Sequence, residues 1–179
     1  MTDIKPAAQG SPFWRFSLQF YRQKGVADAC IALQEQSGVD VNLLLYLLWH
    51  ARECRTFAVG DIEWLERKIG PWREATVIPL RGVRRALKVP PALVDAPIVE
   101  AFRTRIKAVE LEAERLQQEA MYGLAAPPGE RAASPTAAAN ASIAAYETIC
   151  AHSFAAPAVQ TLLAQFTSCC KGTQTPGAQ

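Results

Sequence analysis

The run Asp40-Val41-Asn42-Leu43-Leu44-Leu45-Tyr46-Leu47-Leu48-Trp49 decides the fold. Coiled into a helix, it is apolar on every side except for the Asn42 amide near its start. A helix of that kind has to be enclosed by others. Asp40 is a natural N-cap, and Asn42 falls in the first turn. The expectation is an all-α fold: a compact bundle of about six helices round a buried central helix at about residues 40–55, with one or two C-terminal helices after a linker. The run is too short to cross a bilayer, which takes about 20 apolar residues, and His50, Arg52 and Glu53 end it.

Of the 179 residues, 50% are hydrophobic, enough for a core of ordinary size. The formal net charge of +2 sets up no strong field towards nucleic acid or anionic lipid. Residues 1–11 are polar and lack the apolar stretch and basic start of a signal peptide, so a soluble cytoplasmic protein is expected. The five cysteines, Cys30, Cys54, Cys150, Cys169 and Cys170, are odd in number and contain no C-x-x-C pair. That argues against a disulfide framework and against a zinc ribbon. Cys30, inside an apolar segment, reads as a small core residue.

Outward from the central run, Ser11-Pro12 is a helix-start signal. Phe13, Phe16, Leu18, Phe20 and Tyr21 make that first helix aromatic as far as Gly25. Val26, Ala29, Cys30 and Leu33 form one stripe on a second helix, which Gly38 ends. Asp61 starts a short fourth helix with Ile62, Leu65 and Ile69 on one face and Gly70 at its end. Pro71 opens a fifth helix, residues 72–89, which Pro79 kinks or splits and Pro90-Pro91 stops. Over residues 97–122, Ile98, Phe102, Ile106, Val109, Ala113, Leu116 and Ala120 recur at steps of 4, 4, 3, 4, 3 and 4. This is the stripe by which a long surface helix faces its core. The expected organisation is a disordered tail at 1–11, a helical domain at 12–122, a mobile Ala/Pro-rich linker at 123–140, a C-terminal helical segment at 141–170 and a second tail at 171–179.

Three series of blocks stand out within this pattern. One runs through Phe20-Tyr21, Gly25-Val26, Ala29-Cys30, Leu33-Gln34, Gly38, Asp40-Val41-Asn42, Leu44-Leu45 and Leu48-Trp49. Another comprises Pro71-Trp72-Arg73-Glu74, Pro79-Leu80-Arg81, Arg84-Arg85 and Leu87-Lys88. The third is the acidic helix Glu110-Leu111-Glu112-Ala113-Glu114-Arg115-Leu116-Gln117. Together they resemble a family of uncharacterised, mainly proteobacterial proteins catalogued as a domain of unknown function, over about residues 14–120. The resemblance implies a small, soluble, helical bacterial protein. It implies no activity, cofactor or catalytic residue.

Several constellations can carry chemistry. His50 and Cys54, four apart on a helix, share a face and supply two of the four ligands of a zinc site. A histidine at the end of a buried helix, favoured there by the helix dipole and lying beside an inert thiol, accounts for them as well. Asp40 and Asn42 either orient a polar ligand at a helix N-terminus or cap the backbone there. Arg81, Arg84, Arg85 and Lys88 follow a 3, 1, 3 spacing that puts all four on one face, with Arg73 nearby. Such a face binds phosphate, a nucleic-acid backbone or an acidic partner. Alternatively, Glu100, Glu110, Glu112, Glu114 and Glu119 of the next helix neutralise it, with Arg81 opposite about residue 105. The sequence holds no Glu-x-x-His pair, catalytic triad signature, P-loop or H-E-x-x-H.

The leading expectation is a helical scaffold or adaptor that contacts another protein, leaning away from an enzyme, with no metal and no cofactor. One alternative is an anion or RNA binder using Arg73, Arg81, Arg84, Arg85 and Lys88. The other is a small-molecule or metal-binding enzyme around Asn42 and His50. A cavity lined by Asn42, His50 and Arg73 favours ligand chemistry; a dry core with an exposed aromatic strip favours an adaptor.

Overall fold

The Asp40 carboxylate accepts the backbone amides of Asn42 and Leu43 at 2.8 and 3.3 Å, and this cap starts α3, Val41–Ala51. The structure, a computed structural model, describes residues 10–89 and 92–172. Leu43, Leu44, Leu47 and Leu48 are wholly buried, each contributing about 1.5–3 kcal/mol from burial. Around α3 lie α1 (Pro12–Tyr21), α2 (Val26–Ser37), α4 (Val59–Trp72), α5 (Ile78–Ala86) and α6 (Ala96–Tyr122). Two further helices, α7 (Pro135–Cys150) and α8 (Ala156–Gly172), complete the bundle. The fold is all-α as expected. Among the described residues the only sheet is a two-residue antiparallel pairing of β1 (Arg55–Thr56) with β2 (Glu130–Arg131).

The central helix is shorter than the expected 40–55. After Ala51 the chain turns, Cys54 takes a left-handed backbone with φ 60°, and β1 follows. The residues past Ala51 find partners far along the chain instead of continuing the helix. The Cys54 carbonyl accepts the Ala132 amide at 2.8 Å, and the Phe57 amide donates to Ser142 Oγ at 3.2 Å.

Gly70 and Pro71 do not end the fourth helix. Gly70 is buried, a packing position within α4. Beyond Trp72 a π-helical segment, Arg73–Val77, joins α4 to α5, so one rod runs over residues 59–86. Pro79 explains the widened turn. In a regular α-helix its ring would strike the carbonyl four residues back and its missing N–H would orphan that oxygen. The π geometry, in which the Ile78 amide reaches back to the Arg73 carbonyl, absorbs the misfit without breaking the rod.

The expected linker over 123–140 is also shorter. Ser134 Oγ accepts the Ala137 amide at 3.1 Å, α7 starts at Pro135, and Ala138 and Ala139 are wholly buried. An alanine run reads as a linker by composition, yet alanine is the strongest helix former and its small side chain lets two helices approach closely. The connection that remains is held down. Leu124, Ala126 and Ala132 pack against the core, and Arg55 donates to the Ala126 and Pro127 carbonyls. Gly129 has φ +64°, and a Cβ there would collide with the Thr56 carbonyl, so β1 and β2 meet only because this residue is glycine.

The C-terminal helices belong to the same core. α7 packs on α3 and α4, and α8 on α2. Tyr146, Leu162 and Phe166 are buried, with Phe166 edge-on to Phe20 at 6.5 Å. Ser11, expected to belong to the first tail, is tied to the bundle. Ser11 caps α1 through a 3.1 Å bond from the Trp14 amide, and its own amide donates to Glu119 at 2.8 Å. Residues 1–9, Pro90-Pro91 and residues 173–179 lie outside the described residues. Among the described residues no helix is long and apolar enough to cross a membrane.

Because α8 completes the core, Phe166→Ala is expected to cost about 3–5 kcal/mol in one cooperative urea transition. An unmoved main transition with a separate minor one would show that α8 is not part of that core.

Candidate functional site

The end of α1, α2, the start of α3, the π segment, α5 and α6 enclose a cleft of ≈ 650 Å³. Its floor is buried: Ser17, Val39, Asp40, Asn42, Leu45, Val77 and Gln118. Its rim is exposed and mixed, with Tyr21, Ile31, Ile78, Arg85 and Leu111. The cap residues Asp40 and Asn42 and the basic residues Arg73, Arg81 and Arg85, which the sequence presents as two separate groups, line this one cavity.

A polar network ties the floor together. Arg73 Nη1 lies 2.9 Å from Asp40 Oδ2 and 2.8 Å from Glu66 Oε2. The Asp40 amide donates to the Tyr146 hydroxyl at 2.9 Å, and that hydroxyl donates to Glu66 Oε1 at 3.2 Å. Gln117 Nε2 donates to Asp40 Oδ2 at 2.9 Å. Asn42 Nδ2 donates to Gln117 Oε1 at 3.2 Å, and Asn42 Oδ1 accepts from Gln118 Nε2 at 2.7 Å. Burial works against the charge on Arg73, but Asp40 and then Glu66 outweigh it and hold the guanidinium pKa above its ordinary value. Burial, then the Asp40 and Glu66 charges, push the Tyr146 phenol up, so it stays protonated and can bridge.

The basic face of α5 is largely neutralised from α6. Arg81 pairs with Glu110 at 3.1 Å and Glu114 at 2.9 Å. Arg84 Nη2 donates to Glu110 Oε1 at 3.1 Å, and its Nε makes a second, short contact with the same carboxylate. Arg85 reaches Glu35 at 2.9 Å on the exposed side. Lys88 is exposed, with no ion pair among the described residues. Arg81 meets 110–114 and not about residue 105, because α5 stops at Ala86 and the longer connection to Asp95 lets it lie further along α6. Burial alone would raise the Glu110 pKa, but Arg84 and then Arg81 hold it below the usual carboxylate value. Glu114 stands above that value: burial dominates, Glu110 and Asp40 add to it, and Arg81 opposes.

His50 is elsewhere. Its ring packs edge-on against Tyr46 at 4.5 Å, Trp49 at 4.6 Å and Phe57 at 5.2 Å. Its Nδ1 is 3.3 Å from Arg55 Nη1, and since arginine only donates, Nδ1 is the acceptor. Burial and then the Arg55 charge lower its pKa to about 3, so it is neutral and not the cation that the helix-dipole reading requires. Cys54 is off the helix and does not share the His50 face. No group of three His, Cys, Asp or Glu among the described residues is placed to hold a metal ion.

A family described as protein of unknown function (DUF2390) matches residues 12–121. The chain belongs to this family. All the residues lining the cleft fall within the matched segment of this DUF2390 protein, and α7 and α8 lie beyond it. No curated protein and no solved structure matches the chain.

The structure adds Ser17, Glu66, Glu114, Gln117, Gln118 and Tyr146 to the site of this DUF2390 protein. Ser17 had a signal: Phe13, Phe16, Ser17 and Phe20 recur at 3, 1, 3, which places a hydroxyl on the buried stripe of α1. Gln117 and Gln118 had none, since they fall off the apolar stripe of α6 and read as solvent-facing.

Removing Arg73 strands Asp40 and Glu66. Arg73→Met is expected to cost about 3 kcal/mol in urea unfolding, the low end for a broken buried pair because the guanidinium is partly exposed. Acid should act through His50. Unfolded His50 takes up a proton below about pH 6.5, while the folded residue stays neutral down to about 3. The unfolded state binds more protons in that window, so stability falls as pH drops, by about 1.4 kcal/mol per pH unit. His50→Phe is expected to flatten this slope, as read from urea midpoints between about pH 6.5 and about pH 4.

Proposed function

We propose that this protein binds a small, largely apolar molecule of low net charge that carries an N–H or O–H donor, seated in the cleft between α1, α3, α5 and α6. One observation carries the reading. Ser17 Oγ and Gln118 Oε1 are buried with no hydrogen-bond partner, and both residues line this cavity. Ser17 is 3% exposed and Gln118 2%. Buried polar atoms are nearly always partnered, and leaving one unmade costs about 1–3 kcal/mol. Neither atom faces the cleft in the free protein, so a ligand recovers that energy by drawing the Gln118 and Ser17 side chains to the cleft wall, donating to Oε1 and bonding the Ser17 hydroxyl.

The remaining chemistry agrees. The cavity size falls within the usual range for small-molecule sites, about 300–1,000 Å³. Val39, Leu45 and Val77 supply apolar floor, and Trp14 and Tyr21 supply aromatic wall. Asp40 is neutralised by Arg73, and Arg81 by Glu110 and Glu114, so the site selects against net charge. Asn42 and Arg73 line the cavity and His50 does not, which favours binding over chemistry centred on that imidazole. We further propose a bacterial cytoplasmic location, which the family resemblance implies.

A scaffold or adaptor role remains a second reading, favoured by the exposed apolar residues of α6. The anion or RNA reading draws less support, since Arg73, Arg81, Arg84 and Arg85 all have carboxylate partners.

A thermal-shift screen of small alcohols, amides and heterocyclic amines tests the proposal. A true ligand at 100 times its Kd adds about 2.7 kcal/mol of stability. Gln118→Met is expected to weaken it by about 10-fold or more. Leu45→Phe, which fills the floor, should abolish binding, and Lys88→Ala should leave it unchanged. A screen whose every stabilising compound binds the Gln118→Met and Leu45→Phe variants equally well, or one that yields no such compound, overturns it.

A further inference from the structure

Apart from buried Ala113 and half-buried Ile106, α6 turns its apolar stripe outward. Glu110, Ala113, Gln117 and Met121 lie on its buried side. At about 100° per residue, Ile98, Phe102, Val109, Leu116 and Ala120 share a flank roughly a quarter turn away. Ile98 is 60% exposed, Phe102 43%, Val109 51% and Leu116 42%. The stripe runs for about 33 Å along the helix. Trp72, itself 40% exposed, borders it and donates its indole N–H to the Ala113 carbonyl at 3.0 Å.

The stripe is symmetric about its middle. Phe102 and Leu116 stand seven residues either side of Val109, and Ile98 and Ala120 stand eleven. A two-fold contact requires a self-complementary surface, with each residue i meeting j and each j meeting i. Laid antiparallel on a second copy, Val109 faces its own counterpart at the axis, Phe102 faces Leu116, and Ile98 faces Ala120.

The charges have the same arrangement with opposite sign. Arg105 and Glu112 lie on one flank of the stripe, nearly equidistant from Val109. Arg105 makes no ion pair among the described residues; its guanidinium lies 5.5 Å from the Phe102 ring centroid. Glu112, 53% exposed, is held among the described residues only by its helix neighbour Arg115, at 2.7 Å. An antiparallel second copy puts Arg105 beside Glu112 twice over. A parallel two-fold sets the matching flanks of the two copies on opposite sides of the seam, where Arg105 and Glu112 do not meet.

We propose that the outer flank of α6 is the interface of an antiparallel homodimer, with its two-fold axis at Val109 and Arg105 pairing with Glu112 across it. This surface is separate from the cleft, so either proposal stands or falls without the other.

Sedimentation equilibrium of the full chain tests it. The expected mass is twice the 19.5 kDa of one chain. Val109→Glu brings two carboxylates together at the axis and is expected to give monomer, with an unchanged far-UV spectrum because the side chain is exposed. Arg105→Glu alone should weaken association by about 10-fold or more, and adding Glu112→Arg should restore it. A wild-type chain that stays monomeric overturns the proposal, as does a Val109→Glu variant that remains dimeric. Loss with Val109→Glu but no recovery in the double exchange rejects the antiparallel pairing.

Discussion

The Asp40 carboxylate, 8% exposed, is the point to which the rest of the structure is tied. One oxygen caps α3, the helix round which the bundle is packed. The other receives Arg73 and Gln117, and the Asp40 amide finds Tyr146. A charge this deep is tolerated only when paired and hydrogen-bonded on all sides. The π segment, α6 and α7 must therefore each bring a specific side chain to the start of α3. The cap of one helix thereby sets the position of three others.

The orientation of α6 follows from the same demand. Its buried side has to deliver Gln117 to Asp40 and Asn42, Gln118 to Asn42, and Glu110 to Arg81 and Arg84. A helix has only one buried side, so most of the apolar stripe of α6 is left facing out. Leaving a buried carboxylate or amide unmade costs more than exposing a valine or a leucine. The cleft has the same origin. Polar side chains that must reach one another across a gap hold the helices apart where close apolar packing would close it.

Much of the candidate site was visible as residue types and little of it as geometry. Asn42 announces itself as an amide in an apolar run, and Arg73, Arg81, Arg84 and Arg85 announce themselves by charge and spacing. Nothing local says that these two groups face one cavity, because their meeting depends on the phase of a rod interrupted by a π segment. His50 misleads for a similar reason. Its helical neighbour Cys54 lies past the true helix end, and its pKa is lowered by burial in an aromatic cluster that includes Phe57 and then by the Arg55 charge. Gln117 and Gln118 look like surface residues, since their partners are some 75 positions away.

The sequence by itself determined the class of fold, the buried central helix, the cap at Asp40, the start of α1, and helices α2 and α6 nearly to the residue. These features are decided by local periodicity, by capping and by the impossibility of exposing an all-round apolar helix. Only the tertiary structure decided where α3 stops, that α4 and α5 are one rod, that an alanine run begins α7, and which face of α6 is buried. Each of these turns on a partner distant in sequence: Ser142 for Phe57, the packed core for Ala138 and Ala139, the arginines of α5 for Glu110. Periodicity records how apolar residues are spaced. Which side of a helix is buried depends on the energy of satisfying its polar groups, and that is known only once the partners are in place.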